Sequence, residues 1–334
     1  MKKLTVTSSP HVKSGATVTG IMLDVLIALL PALIAAVHIF GPRTLLVCAV
    51  CIGACLLSEY IAEKIMRKPT TLGDLSAVVT GLLLAFNLPV GIPLWMAAVG
   101  SAAAIIVVKQ MFGGLGQNFV NPAITGRIIL LVSFSQAMTT FAAPRAWVEN
   151  VNAADVVTTA TPLAALSQID RGGNIAAQLT AGEIPPLSDM FFGYIGGSLG
   201  EVCALALLIG GVFLIARRVI SPIIPCAFVG TVAVIMLIAG KGDWTFMLYE
   251  LLSGGLLLGA IFMATDYVTS PVNRLGKLIF GIGCGVITAV IRLFSNLPEG
   301  VSYSIMIMNI LTPLIEKTTL AKPFGFVKEK KEAA

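Results

Sequence analysis

Apolar residues run through this chain in stretches too long and too uniform for the one-sided helices and strands of a soluble fold. A helix that crosses a bilayer needs about 17–25 mostly apolar residues. Ten segments meet that need, at 20–40, 43–61, 72–88, 92–108, 124–142, 193–215, 222–240, 245–264, 275–295 and 301–316. Several are bounded by turn residues, among them Gly41-Pro42, Asn87-Leu88-Pro89 and Asn296-Leu297-Pro298. The pattern predicts an all-α polytopic membrane protein with about ten transmembrane helices, five before and five after a large extracytoplasmic loop. Its divisions are an N-terminal tail at 1–19, a first membrane half at 20–142, the loop at 143–192, a second membrane half at 193–316 and a C-terminal tail at 317–334. Five helices per half would make the halves an inverted pair if they were homologous. The visible self-similarity does not fix this: Leu72-Gly73-Asp74-Leu75 and Leu275-Gly276-Lys277-Leu278 fall in helices three and nine, which run in the same direction.

Composition agrees with the pattern. Of 334 residues, 57% are hydrophobic and 12% charged, whereas soluble domains carry about 25% charged residues. Mean hydropathy is +0.93. These figures exclude a soluble, disordered or nucleic-acid-binding chain. The net charge of +5 matters less than its placement. With the N-terminus in the cytoplasm, seventeen Lys and Arg fall inside, Lys109, Arg127 and Arg217 among them, against five outside, including Lys241 and Arg292. That asymmetry predicts a bacterial cytoplasmic-membrane protein with both termini cytoplasmic. The N-terminus stays polar through Gly20 and lacks the short apolar core and small-residue site of a cleaved signal peptide.

Cys48, Cys51 and Cys55 have a spacing that superficially suits an iron–sulfur cluster. All three lie inside one membrane-length helix, where i, i+3 and i+7 share a face, so a packing stripe of small buried side chains accounts for them. His11 and His38 are the only histidines, which argues against a histidine-based metal site. The expected metal complement is none.

The large loop contains Asp155-Val156-Val157-Thr158-Thr159-Ala160-Thr161-Pro162-Leu163. On the residues alone this is a polar turn ahead of a proline. Its D-x-x-T-x-A-T spacing resembles the acceptor motif of flavin transferases, in which the last threonine's hydroxyl forms a phosphoester with FMN. That resemblance implies Thr161 as the covalent attachment point and Asp155 as the acid that the transferase engages. The usual residue before the alanine is glycine, and here it is Thr159. Ser14-Gly15-Ala16-Thr17 also looks like the core of that motif, but His11 stands where the acid belongs and the segment lies in the cytoplasmic tail.

Two further stretches bear on identity. Residues 109–123, KQMFGGLGQNFVNPA, join helices four and five and bring the amides of Gln117, Asn118 and Asn121 to the membrane edge. The run FMATDYVTSP at 262–271 closes helix eight and contains Asp266. With the loop motif, these resemble the NqrB/RnfD family of membrane subunits along nearly the whole chain. The resemblance implies a subunit of an Rnf-type translocase, working beside Rnf subunits A, B, C, E and G to couple electron transfer between ferredoxin and NAD to Na+ or H+ transport. It further implies covalent FMN at Thr161, a flavin transferase for maturation, and in some members a non-covalent riboflavin between the helices. The B subunit of a Na+-translocating NADH:quinone reductase is the alternative within the family. That relative usually carries a longer segment before its first helix, whereas here the first helix starts near Gly20. A small-solute channel or transporter, or a purely structural membrane subunit, is the alternative outside it.

Carboxylates at membrane depth are costly and mark ion pathways. Asp24, Glu201 and Glu250 fall within apolar segments, and Asp74 and Asp266 lie nearer the cytoplasmic edge. Asp24, Glu250 and Asp266 are the candidates for an ion path, the competing account being that each pairs with a Lys or Arg. The topology itself is testable. A reporter active only outside the cytoplasm should work when fused after Asp170 and be silent after Arg218, and the reverse would invert the whole assignment.

Overall fold

The computed structural model describes residues 17–149, 161–167, 184–295 and 299–320. All ten expected segments contain helix, and no strand occurs among the described residues. The first half comprises α1 (Val18–Phe40), α2 (Arg43–Ile65), α3 (Ser76–Phe86), α4 (Leu94–Gln110) and α5 (Pro122–Ser133). The second comprises α6 (Ala204–Ala216), α7 (Ile223–Ala239), a broken α8 in two pieces (Trp244–Leu252 and Leu256–Met263), α9 (Arg274–Phe294) and α10 (Val301–Thr319). Three helices, α1, α2 and α9, are long and apolar enough to span a membrane unbroken, and the two pieces of α8 together are as long and apolar but are bent by 66° at their break. The protein is an all-α, multi-pass membrane protein.

Four expected helices are interrupted, helix three among them, where Leu75 at φ +64° separates Leu72–Asp74 from the helix that starts at Ser76. Helix six begins at Ala204 rather than 193, because 194–203 runs as irregular chain through a glycine-rich stretch. Two of its amides are met across the interior: Leu199 N–H donates to the Leu88 carbonyl (3.0 Å) and Gly200 N–H to that of Phe86 (2.8 Å). Non-helical backbone at membrane depth is tolerated only with such partners. Gly200 permits the approach, since a Cβ there would sit 2.3 Å from that of Phe86. Helix eight breaks at Ser253-Gly254-Gly255, where Gly254 takes φ +63°. Helix five stops at Ser133, and a short helix, Ser135–Thr139, follows after a kink at Phe134.

The two halves repeat their neighbours. As α2 packs on α3 and α4, α7 packs on both pieces of α8 and on α9, and as α4 packs on α5, α9 packs on α10. Across the halves α1 meets α6 and α5 meets α10. Each helix thus corresponds to the one five places later, an odd offset that reverses direction in an alternating chain. This correspondence pairs α3 with α8, not with α9, so the Leu72 and Leu275 repeat is not the structural one. Small residues make the tightest crossings: a Cβ on Gly210 of α6 would lie 2.1 Å from the Ala28 carbonyl oxygen of α1. The outer faces carry Ile34, Val132, Val212 and Ile238, each 66–73% exposed, as a lipid-facing surface.

Gly210→Ala should therefore cost about 1–3 kcal/mol through overpacking. Gly230→Ala on α7, which has open space around it, should cost nothing. Thermal melts of the two purified variants beside the wild type check the contrast.

Candidate functional site

Two polar regions lie at opposite ends of α3. At its C-terminal end, Thr161 forms part of a small cleft with Gly196, Gly197, Glu201, Gly254 and Glu299. The half-buried Thr161 hydroxyl caps the short helix Pro162–Ser167, accepting from Ala164 N–H at 3.2 Å. Leu163 and Leu166 anchor that helix in the core. Gly254 is needed there, because a Cβ on it would crowd Leu163 (3.1 Å) and the Arg292 guanidinium (3.4 Å). The cleft encloses about 10 Å³, room for about one water molecule. Asp155, the expected recognition acid, lies outside the described residues.

Beside this cleft the interior holds five charged side chains. Arg127 of α5 donates to Asn87 Oδ1 (2.8 Å) and pairs with the Glu299 carboxylate. Arg292 of α9 donates to the Glu250 carbonyl (2.6 Å), Glu250 Oε2 (3.1 Å) and the Ser253 carbonyl (3.0 Å). These carbonyls end the first piece of α8, so Arg292 serves as the cap of a helix that stops inside the protein. Glu201 accepts from Ser198 N–H through Oε1 (2.9 Å) and lies within electrostatic reach of both guanidiniums. The charge tally counted Arg127, near the start of segment 124–142, with the cytoplasmic side and Arg292, near the end of 275–295, with the outside. Both are corrected here: they are buried, because Glu299 stands against Arg127, and Glu250 with the broken end of α8 stands against Arg292. A charge well inside an apolar run was the signal available in the sequence.

The second region is a cavity at the N-terminal end of α3, lined by Ser76, Thr80, Lys109, Asn118, Asn121, Asp266 and apolar residues of α1, α6 and α8. It holds about 860 Å³ of open space with its mouth included, about 110 Å³ of it reached by the centre of a water molecule. Lys109 was also counted as a loop charge. Instead it is buried, bonded to Glu59 Oε1 (2.5 Å) and Ser76 Oγ (2.6 Å). Asn121 caps α5 and donates across the halves to the Met263 carbonyl (3.1 Å). Asn118 and Asn121 face the cavity, whereas Gln117 is exposed on the adjoining turn. Asp266 accepts from Thr269 Oγ1 (3.1 Å), and burial pushes its carboxyl pKa up.

The other candidates are placed as follows. Asp24 pairs with Arg217 at the C-terminal end of α6 (3.2 Å), so within this chain it has a basic partner. Glu250 pairs with Arg292. Thr17, the alternative acceptor, caps α1 by accepting from Gly20 N–H (3.1 Å). Cys48, Cys51 and Cys55 are buried in helix packing. Among the described residues no His, Cys, Asp and Glu cluster could hold a metal.

A polytopic all-α protein with broken inner helices, a buried charge cluster and a polar cavity on the far side defines a class of membrane transport subunits. The chain belongs to the NQR2, RnfD, RnfE family, which matches residues 5–325. It is 47% identical over 332 residues to the D subunit of the Na+-translocating ferredoxin:NAD+ oxidoreductase complex of Acetobacterium woodii, covering 99% of this chain and 98% of that one. It is 42% identical to the D subunit of the proton-translocating ferredoxin:NAD+ oxidoreductase complex of Clostridium ljungdahlii, covering 96% of each. With the D subunit of the ion-translocating oxidoreductase complex of Stutzerimonas stutzeri it shares 41% identity over 93% of each chain.

Removing one partner of a buried ion pair costs about 3–5 kcal/mol, because the other is left uncompensated. Arg292→Met should lose that much and unsettle the break in α8. The double variant Arg292→Met/Glu250→Gln should recover part of it, as read in thermal melts at two salt concentrations.

Proposed function

We propose that the chain is the flavin-carrying D subunit of an Rnf-type complex, coupling electron transfer between ferredoxin and NAD to translocation of Na+ or H+. It works beside subunits A, B, C, E and G, in the bacterial cytoplasmic membrane with both termini cytoplasmic. FMN is joined by its phosphate to the Thr161 hydroxyl, put there by a flavin transferase that engages Asp155. The observation that carries this reading is the setting of Thr161: a half-buried hydroxyl at a cleft walled by Gly196, Gly197 and Gly254. The accessible hydroxyl and its small neighbours Gly196, Gly197 and Gly254 suit attachment of a phosphoester, which has to point out of the cleft, because Glu201 and Glu299 line it and Arg127 and Arg292 are already paired with Glu299 and Glu250. Bound there, FMN supplies reversible uptake of one or two electrons. The chain's own part is to hold it at the membrane face and to keep the charges beneath it balanced.

The cavity at the other end of α3 suits a second, non-covalent flavin. Lys109 is the only cation among its lining residues and is already neutralised by Glu59. No free positive charge is left among them for a phosphate, which favours riboflavin over FMN. Its apolar walls match the flat ring, and Asn118, Asn121 and Thr80 offer polar contacts to the ring edge.

Thr161→Val is nearly isosteric, so the chain should still assemble but lose in-gel flavin fluorescence after denaturation, while Thr17→Val keeps it. Fluorescence that survives Thr161→Val and vanishes with Thr17→Val would overturn the attachment site and the topology together.

A further inference from the structure

We propose that Leu115 is the gate of the cavity at the N-terminal end of α3, past which a flat, uncharged ligand enters and leaves. The inference takes its ligand class from the riboflavin reading above, but the gate stands on the cavity's own walls. Of the residues that line the cavity only two are exposed, Leu115 at 37% and Tyr267 at 52%, and the others are buried or half-buried. The opening therefore lies between these two side chains, one from each half of the chain.

Outside it lies a second hollow, a polar groove of about 1020 Å³ with its open side included. Among the described residues Leu115 alone lines both hollows. Elsewhere they stand back to back on neighbouring positions of shared segments. Thr19 faces the groove and Ile21 the cavity; Asp74 pairs in the same way with Ser76, and Gln110 with Lys109. At those three places backbone separates the hollows, whereas at Leu115 the partition is a single apolar side chain.

The two sides of the opening are held differently. Tyr267 is fastened, its hydroxyl donating to the Val219 carbonyl. The groove's other walls are fastened too: Thr71 N–H donates to the Glu63 carboxylate (3.2 Å) and Thr19 Oγ1 to the Gly73 carbonyl (3.3 Å). Leu115 instead stands between Gly114 at φ +110° and Gly116 at φ +86°. Among the described residues, the backbones of Leu115 and Gly116 bond to no other backbone group. A Cβ on Gly114 would meet nothing closer than 3.9 Å, and one on Gly116 nothing within 4 Å, so neither glycine is there to admit a neighbour. They give the turn its left-handed backbone and the freedom to change it. The base of the turn is fixed. The Phe112 and Phe119 rings meet edge to face at 4.7 Å, and Lys68 Nζ donates to the Gly113 carbonyl (3.0 Å). A turn fixed at its base and loose at its tip moves as a lid, and an outward swing of Leu115 joins the cavity to the groove.

Thiol labelling of the full chain, purified with its partners, tests the gate without any ligand. Val79 lines the cavity, and Cys226 is the only exposed native cysteine of the chain, so Val79→Cys/Cys226→Ser carries one reporter thiol. In that background Leu115→Ala should speed reaction with a small charged thiosulfonate about tenfold, through loss of the side chain's apolar contacts. Lys68→Met, a surface change that frees Gly113, should speed it about threefold. Met111→Ala, on the same turn but lining neither hollow, should leave the rate unchanged. Riboflavin is the second probe, in chains that keep Val79. Leu115→Ala should speed its uptake and its release together, with affinity shifted less than either rate, whereas a residue that only holds the ligand would change release alone. Equal labelling rates in Leu115→Ala and Met111→Ala overturn the gate, as does faster release without faster uptake. A wild type that takes up no riboflavin, with the labelling contrast intact, refutes the riboflavin reading and leaves the gate standing.

Discussion

Inside a bilayer no water is available to satisfy a backbone N–H or C=O, and every departure from continuous helix must find its partner within the protein. Two of this chain's departures are neighbours, the irregular run 194–203 and the break in α8. The amides of Leu199 and Gly200 bond the carbonyls at the end of α3, and Arg292 takes the carbonyls that α8 releases. The first needs Gly200 close against Phe86, and the second needs Gly254 and Gly255, where a Cβ would crowd the Leu163, Arg292 and Glu201 side chains. The polar site is what this arrangement leaves behind: once helices end inside the protein, their termini and the side chains that satisfy them make a charged interior without any need for an open channel.

α3 joins the two polar regions. Ser76 and Thr80 near its start line the cavity with Lys109, while Asn87 just past its end holds Arg127. The Asn121 bond to the Met263 carbonyl ties the first half to the second on the cavity side. Groups at the two ends are therefore set against one rigid element. Relatives named for Na+ and for protons match this chain along nearly their whole length. Likeness along the chain therefore does not distinguish the two ions.

How much of this the sequence made legible depended on the signal. α1, α2 and α9 are long uniform apolar runs, and hydropathy finds them with bounds close to those observed. Hydropathy cannot tell apolar helix from apolar irregular chain, so 193–203 read as the start of helix six although Gly196, Gly197 and Gly200 were visible there. Charges at helix ends were assigned to loops. For Arg217 that gave the right side-chain environment, a half-exposed pair with Asp24, and for Lys109, Arg127 and Arg292 it did not. With those three removed, the tally still stands at fifteen against four, so the asymmetry never depended on them. Thr161 was marked by motif spacing alone. Its neighbours Glu201, Gly254 and Glu299 come from three distant parts of the chain, and no local pattern could have gathered them.

The ion pair between Arg127 and Glu299 also constrains how the protein is made. α5 leaves the ribosome with its arginine about 170 residues ahead of the partner acid, a gap of roughly 10–30 s at ~5–20 residues per second. Asn87 is already present and can hold one arm of the guanidinium, and Glu201 brings a negative charge within reach once the segment before α6 is made, but the ion pair itself forms only when the residues ahead of the last helix arrive. The first half is therefore completed by a side chain from the far end of the second.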